Sequence, residues 1–120
     1  MIVEKKTFAD MKVGETLYFG CLDSYHIMES RLVSIEMLPD NDNCYTHSSD
    51  IRFTPVEFGN FAISKMILDR HDVIYYTHNN QGFWCGTSKE AVAEHVIAAI
   101  KSKIDFWYNR MIRFNNNNLY

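Results

Sequence analysis

Two stretches of the chain carry the residues most suited to chemistry. Cys21 precedes His26 in CLDSYHIMES, and Cys44 precedes His47 in NDNCYTHSSD. Two thiols and two imidazoles are the ligand count of a structural zinc site. The spacing is C-x4-H, seventeen residues, then C-x2-H. Zinc knuckles set the two ligands of each half two to four residues apart on a tight turn, and only Cys44-Tyr-Thr-His47 has that tightness. Cys21, at the end of an alternating segment, reads more simply as a small core residue. His26 and His47 stand among polar neighbours and read as solvated. No metal or cofactor is expected, with Cys21, His26, Cys44 and His47 as the residues that would hold one.

Cys85 raises nucleophilic chemistry. It lies two residues before Thr87, at the start of a helical pattern, where a helix N-terminus would stabilise a thiolate. A cysteine nucleophile also needs a base, and His71, His78 and His95 are the candidates, His78 from across a hairpin. No local signature ties any of them to Cys85, and the simpler reading packs the thiol beside Trp84. His71-Asp72 matches two letters of a phosphohydrolase motif whose other ligands and helices are missing. There is no glycine-rich phosphate loop, no nucleophile elbow and no convincing carboxylate pair. No catalytic residue is expected; a small Cys/His-dependent hydrolase or metal-binding protein is the alternative.

Composition narrows the partners. The 120 residues are 47% hydrophobic and 22% charged, with seven Tyr and eight Phe, enough aromatic surface for a real core in one domain. Residues 1–60 carry five basic and ten acidic side chains, 5 − 10 = −5, and residues 61–120 carry seven and five, 7 − 5 = +2. A phosphate backbone calls for clustered positive charge, so a nucleic-acid-binding barrel is disfavoured. Three cysteines at uneven spacing make no disulfide framework, and no segment has the apolar length of a signal peptide or membrane span. A cytoplasmic chain with free thiols, without membrane contact, is the expectation.

The elements that would position these residues follow from periodicity. MKVGETLYFGCL turns at Gly14 and then alternates, with Leu17, Phe19 and Cys21 on one face and Tyr18 and Leu22 on the other. In MESRLVSIEML, Val33, Ile35 and Met37 share one face of a strand, although Met28, Leu32 and Ile35 also fit a helix. Pro39 and DNDN end it. DIRF is a third strand, with Ile51 and Phe53 together. Thr54-Pro55-Val56-Glu57 has the order of a short helix start, and FAISKMIL fits either periodicity. VIYYTH, a polar turn NNQG and FWC form a hairpin. Its Tyr75, Tyr76, Phe83 and Trp84 cannot all point inward; Phe83 and Trp84 are expected in the core and the tyrosines are candidates for a partner surface.

Thr87-Ser88-Lys89-Glu90 is a capping box leading into the longest pattern of the chain. Val92, Val96, Ile100, Ile104, Trp107, Met111 and Phe114 recur at steps of three and four and form one apolar stripe. Glu90 and Glu94 sit near its start and Lys101, Lys103, Arg110 and Arg113 later, as the helix dipole favours. The stripe is longer than a small sheet can cover. Either Trp107, Met111 and Phe114 reach a partner or a second copy of the chain, or the helix breaks near Asp105. Asn115–Asn118 reads as a frayed end, dividing the chain into a domain at 1–114 and a flexible tail at 115–120.

Lys12-Val13-Gly14-Glu15 at a strand start and Thr87-Ser88-Lys89-Glu90-Ala91 at a helix start resemble small uncharacterised proteins of phages and mobile elements, many with an SH3-like β-barrel core. Residues 38–72 follow no such pattern. These motifs are folding signals, so the resemblance implies a phage-like origin and a binding role and carries over no catalytic residue. The expected fold is α+β, a small bent antiparallel sheet packed against a long C-terminal helix. The expected function is a non-catalytic protein–protein interaction module, an inhibitor of a host system or a small assembly component.

Overall fold

The computed structural model describes residues 6–38 and 50–118. Among the described residues six strands form one antiparallel sheet: β1 (Thr16–Gly20), β2 (Met28–Met37), β3 (Asp50–Pro55), β4 (Phe61–Ser64), β5 (Val73–His78) and β6 (Gln81–Gly86). Their order is β4-β3-β2-β1-β6-β5. The sheet curls into a nearly closed barrel, so that the edge strands β4 and β5 face each other across a seam. One helix, α1 (Lys89–Asn118), follows. The fold is α+β, as the sequence led one to expect.

The barrel interior is aromatic. Leu17 and Phe19 of β1, Phe53 of β3, Phe61 and Ile63 of β4, and Phe83 and Cys85 of β6 point inward and are buried. Phe53 stacks on Phe61 at 5.4 Å and Phe19 on Phe58 at 4.1 Å. Phe8, from a 3-10 turn at Phe8–Asp10, closes one end with its ring edge-on to Phe53 and Phe61, and its N–H donates to the His71 carbonyl at 3.1 Å. Rings this large fill a small barrel without help from a helix.

Several expectations shift for identifiable reasons. The strand reading of β2 holds, but the register slips between Leu32 and Ser34. Before this bulge Ser30 and Leu32 face inward; after it Ile35 and Met37 share a face with Phe53 and Ile51. One inserted residue reverses the phase of the alternation, and Val33, Ile35 and Met37 are all exposed. Thr54-Pro55 ends β3 rather than starting a helix, because Pro55 sits opposite that bulge, where a missing N–H is tolerated. FAISKMIL resolves into β4 and a turn. The hairpin turn is Asn79-Asn80 alone, both residues with positive φ, and Gln81 and Gly82 belong to β6.

Helix α1 lies on the outside of the barrel, against β1 and β6. Only Val92 and Val96 of its stripe are buried, in a second cluster with Val73, Tyr18, Ile27 and Trp84. Trp84 is thus covered by the helix rather than by the aromatic interior. The close approach needs two strand positions without a side chain. A Cβ on Gly20 would stand 2.8 Å from Val96 Cγ2, and one on Gly86 would stand 2.5 Å from Val92 Cγ2 and 3.0 Å from the Asp72 carbonyl oxygen. The helix cap is Ser88, whose hydroxyl accepts the Ala91 N–H at 3.2 Å. Thr87, expected as the cap, is buried and donates its hydroxyl to the Lys6 carbonyl at 2.6 Å, tying the helix root to the N-terminal segment.

Beyond its root the helix leaves the barrel. It neither breaks near Asp105 nor ends at Phe114: Asn115–Asn118 extend it, and Asn118 Nδ2 donates to the Phe114 carbonyl at 2.9 Å. At about 1.5 Å per residue it is about 45 Å long, and every residue from 101 to 118 is exposed. The radius of gyration is 18.0 Å, against about 14 Å for a compact chain of this length.

Gly86→Ala forces the root of the helix off the sheet, since neither a branched Val92 nor the Asp72 backbone yields easily. A loss of about 1–3 kcal/mol is expected in chemical denaturation. Combining it with Val92→Ala gives a total smaller than the sum of the two single losses. Strict additivity would show that the contact does not set the helix position.

Candidate functional site: the outer face of the C-terminal helix

The sequence-selected residues fall into separate places. Cys21 is buried at the end of β1, and its Sγ accepts a hydrogen bond from Gln81 Nε2 at 3.2 Å. Its backbone N–H and carbonyl are both bonded by the Ser24 hydroxyl, which shapes the turn that leaves His26 exposed. Cys44 and His47 lie outside the described residues. Among the described residues no three His, Cys, Asp or Glu side chains are grouped as metal ligands would be.

Cys85 is fully buried, and burial pushes its thiol well above the ordinary range. It pairs with Ile74 in the hairpin, whereas His78 pairs with Gln81. Four residues of strand therefore separate Cys85 from His78, about 13 Å. The expectation that the hairpin could bring them together fails on register. His78 instead packs against Gly59 and contacts Asn79, and His95 bonds the Ala91 carbonyl one turn back along the helix. The thiol packs within the aromatic core cluster of the barrel.

The two tyrosines part company. Tyr75 is 59% exposed on the outer face, edge-on to Trp84 at 4.9 Å, with its ring lying over Gly82. Tyr76 points the other way, into the interior near Phe19, Phe61 and Phe83, and its hydroxyl donates to the Phe58 carbonyl at 3.2 Å. It bridges the barrel seam, with its ring held among core side chains rather than presented on the outer face. Desolvation by burial raises its phenol well above the ordinary tyrosine value.

Trp107, Met111 and Phe114 stand on the free part of α1, 53%, 52% and 62% exposed. Phe106, Tyr108 and Ile112 add apolar surface around the same segment. Arg110 lies over the Trp107 ring, 5.3 Å from its centroid, and Phe106 packs edge-on to the same ring at 5.4 Å. Leu22 and Asp23 of the β1–β2 loop face Ile100, Ile104, Trp107 and Met111 across an open apolar groove of about 530 Å³. Ser24, Tyr25 and Ile27 of the same loop border a smaller groove against Val96 and Ile97. The loop's share of this surface escaped sequence reasoning, because only the docking angle of the helix brings it alongside; exposed Leu22 and Tyr25 were the available signal.

An exposed apolar surface this continuous is unusual for a chain that works alone. No described helix is long and apolar enough to cross a membrane. The chain matches no protein-family model, no curated protein and no solved structure.

Two outcomes follow from this geometry. Cys85 stays unmodified by a thiol alkylating reagent in the native protein near pH 8 and reacts only on unfolding; rapid native labelling would contradict the packing role. Tyr76→Phe removes the bond to Phe58 and costs about 0.5–1.5 kcal/mol near neutral pH. The raised phenol also fixes a sign. Above about pH 10, where a tyrosine in the unfolded chain ionises, the folded state still holds this proton, so stability falls with rising pH. Denaturation measured from pH 9 to 11 is expected to show a shallower fall in Tyr76→Phe than in the wild type.

Proposed function

We propose that this protein is a non-catalytic protein–protein interaction module that docks through the free part of α1 and the flanking β1–β2 loop. The observation that carries the reading is the unbroken apolar face from Ile100 to Phe114, held clear of the barrel by a helix rooted only at Val92 and Val96. Water-exposed Trp, Phe, Tyr and Met with an overlying Arg are the residue types that anchor protein interfaces. A rigid helix presents them with little conformational entropy left to lose on binding. Tyr75, on the outer face beside Trp84, is a second contact candidate, in this reading peripheral. The resemblance carried by Lys12–Glu15 and Thr87–Ala91 adds a setting to the proposal: a phage or mobile-element protein that inhibits a host system or takes part in a small assembly. A cytoplasmic location belongs to the same reading.

The test is photo-crosslinking in cells from a reactive amino acid placed at position 107, 111 or 114, with exposed position 65, just after β4, as control. A discrete protein adduct is expected from the helix positions alone, and Ile104→Glu abolishes it. Absence of any adduct from 107, 111 and 114 would contradict the proposal.

A further inference from the structure

The spacing of the exposed face specifies more than greasiness. Ile97, Ile100, Ile104, Trp107, Met111 and Phe114 follow each other at steps of 3, 4, 3, 4 and 3. Those steps match the 3.5-residue repeat of a coiled-coil seam. All six are exposed, between 36% and 62%. Together they offer on the order of 600 Å² per copy, which is what each partner buries at the low end of specific interfaces.

We infer that the occupant of this face is a second copy of the chain, its α1 running antiparallel. This rests on the docking reading above and deepens it. Side-chain volume is the first argument. The seam is segregated, with isoleucine at 97, 100 and 104 and Trp, Met and Phe at 107, 111 and 114. An antiparallel pair sets Ile97 against the second copy's Phe114, Ile100 against its Met111 and Ile104 against its Trp107, and the reverse by symmetry. Every layer then joins a compact side chain to a long or aromatic one, the alternation that lets facing helices interdigitate. A parallel pair stacks Trp107 on Trp107 and Phe114 on Phe114 and leaves the isoleucine layers thin.

Charge is the second argument. Residues 97–118 hold four basic side chains and one acidic, 4 − 1 = +3, while the described residues before them, 6–38 and 50–96, hold seven and eleven, 7 − 11 = −4. Antiparallel pairing lays each basic helix end along the other copy's acidic barrel, where Asp23 already lines the groove. Parallel pairing sets two basic ends side by side. In the antiparallel pair Lys103 neighbours the second copy's Arg110, a small cost at solvent-exposed flanks. The arrangement closes on itself with twofold symmetry, so it makes a dimer and not a filament.

Light scattering on purified full-length protein at about 1–200 μM, the range suited to an interface of this size, is expected to show a mass rising to twice 14.1 kDa. Ile104→Glu and, independently, Met111→Glu give monomers whose circular dichroism retains the barrel. Orientation is read in a Cys44→Ser background. Ile97→Cys combined with Phe114→Cys yields an oxidised covalent dimer, and Phe114→Cys alone does not. A wild-type monomer throughout that range, or a dimer that survives both glutamates, overturns self-pairing. Efficient cross-linking by Phe114→Cys alone overturns the antiparallel register. A foreign adduct from position 107 together with a monomeric wild type would leave the docking proposal standing and remove this one.

Discussion

The architecture turns on the contact of Val92 and Val96 with Gly20 and Gly86. Two glycines facing outward from adjacent strands make a shallow seat on the barrel wall, and two valines one helical turn apart fill it. Burying a valine side chain contributes about 1.5–3 kcal/mol, so this seat is enough to fix the first turns of α1. The helix therefore lies against the outer wall, and the interior must be filled from the strands, the 3-10 turn and the loops alone. The stacked and edge-on phenylalanines, with Tyr76 bonded across the seam, supply that filling. A seat only two valines long cannot hold a helix of thirty residues along its length. The free apolar face is a consequence of the same contact.

Much of this was legible in the sequence, and the failures have physical causes. Leu17, Phe19 and Cys21 alternate cleanly and are buried together, as are Ile51 and Phe53, because nothing interrupts the two-residue repeat there. In β2 the repeat was legible but its phase was not: a bulge between Leu32 and Ser34 leaves no mark on hydrophobicity. Pro55 looked like a helix start because local order at Thr54–Glu57 satisfies helix rules; pairing with β2 outweighs them. The helix was the clearest element, yet its end was placed early, since asparagine is a poor helix former but not a breaker.

The candidate site was partly legible. Trp107, Met111 and Phe114 were recoverable from length alone, a stripe too long for a small sheet. Tyr75 and Tyr76 are adjacent in sequence and opposite in space, and choosing between them required knowing which hairpin face is inside. The chemistry-bearing residues show the converse error. Cys85 and His78 are close in sequence across a tight turn, but antiparallel register sets them at opposite ends of the hairpin. Proximity along the chain is a weak guide wherever a strand intervenes.

The central claim is that the barrel and the root of α1 are a complete folding unit to which the remainder of the helix adds only a binding face. Ending the chain after Lys101 tests this most directly, because it removes Trp107 and leaves Trp84, beneath the helix root, as the reporter of unfolding. At low protein concentration, chemical denaturation followed by that fluorescence is expected to match the full-length chain within about 0.5 kcal/mol. A truncated chain that is unfolded, or weaker by several kcal/mol, would contradict the account and make the outer helix part of the fold.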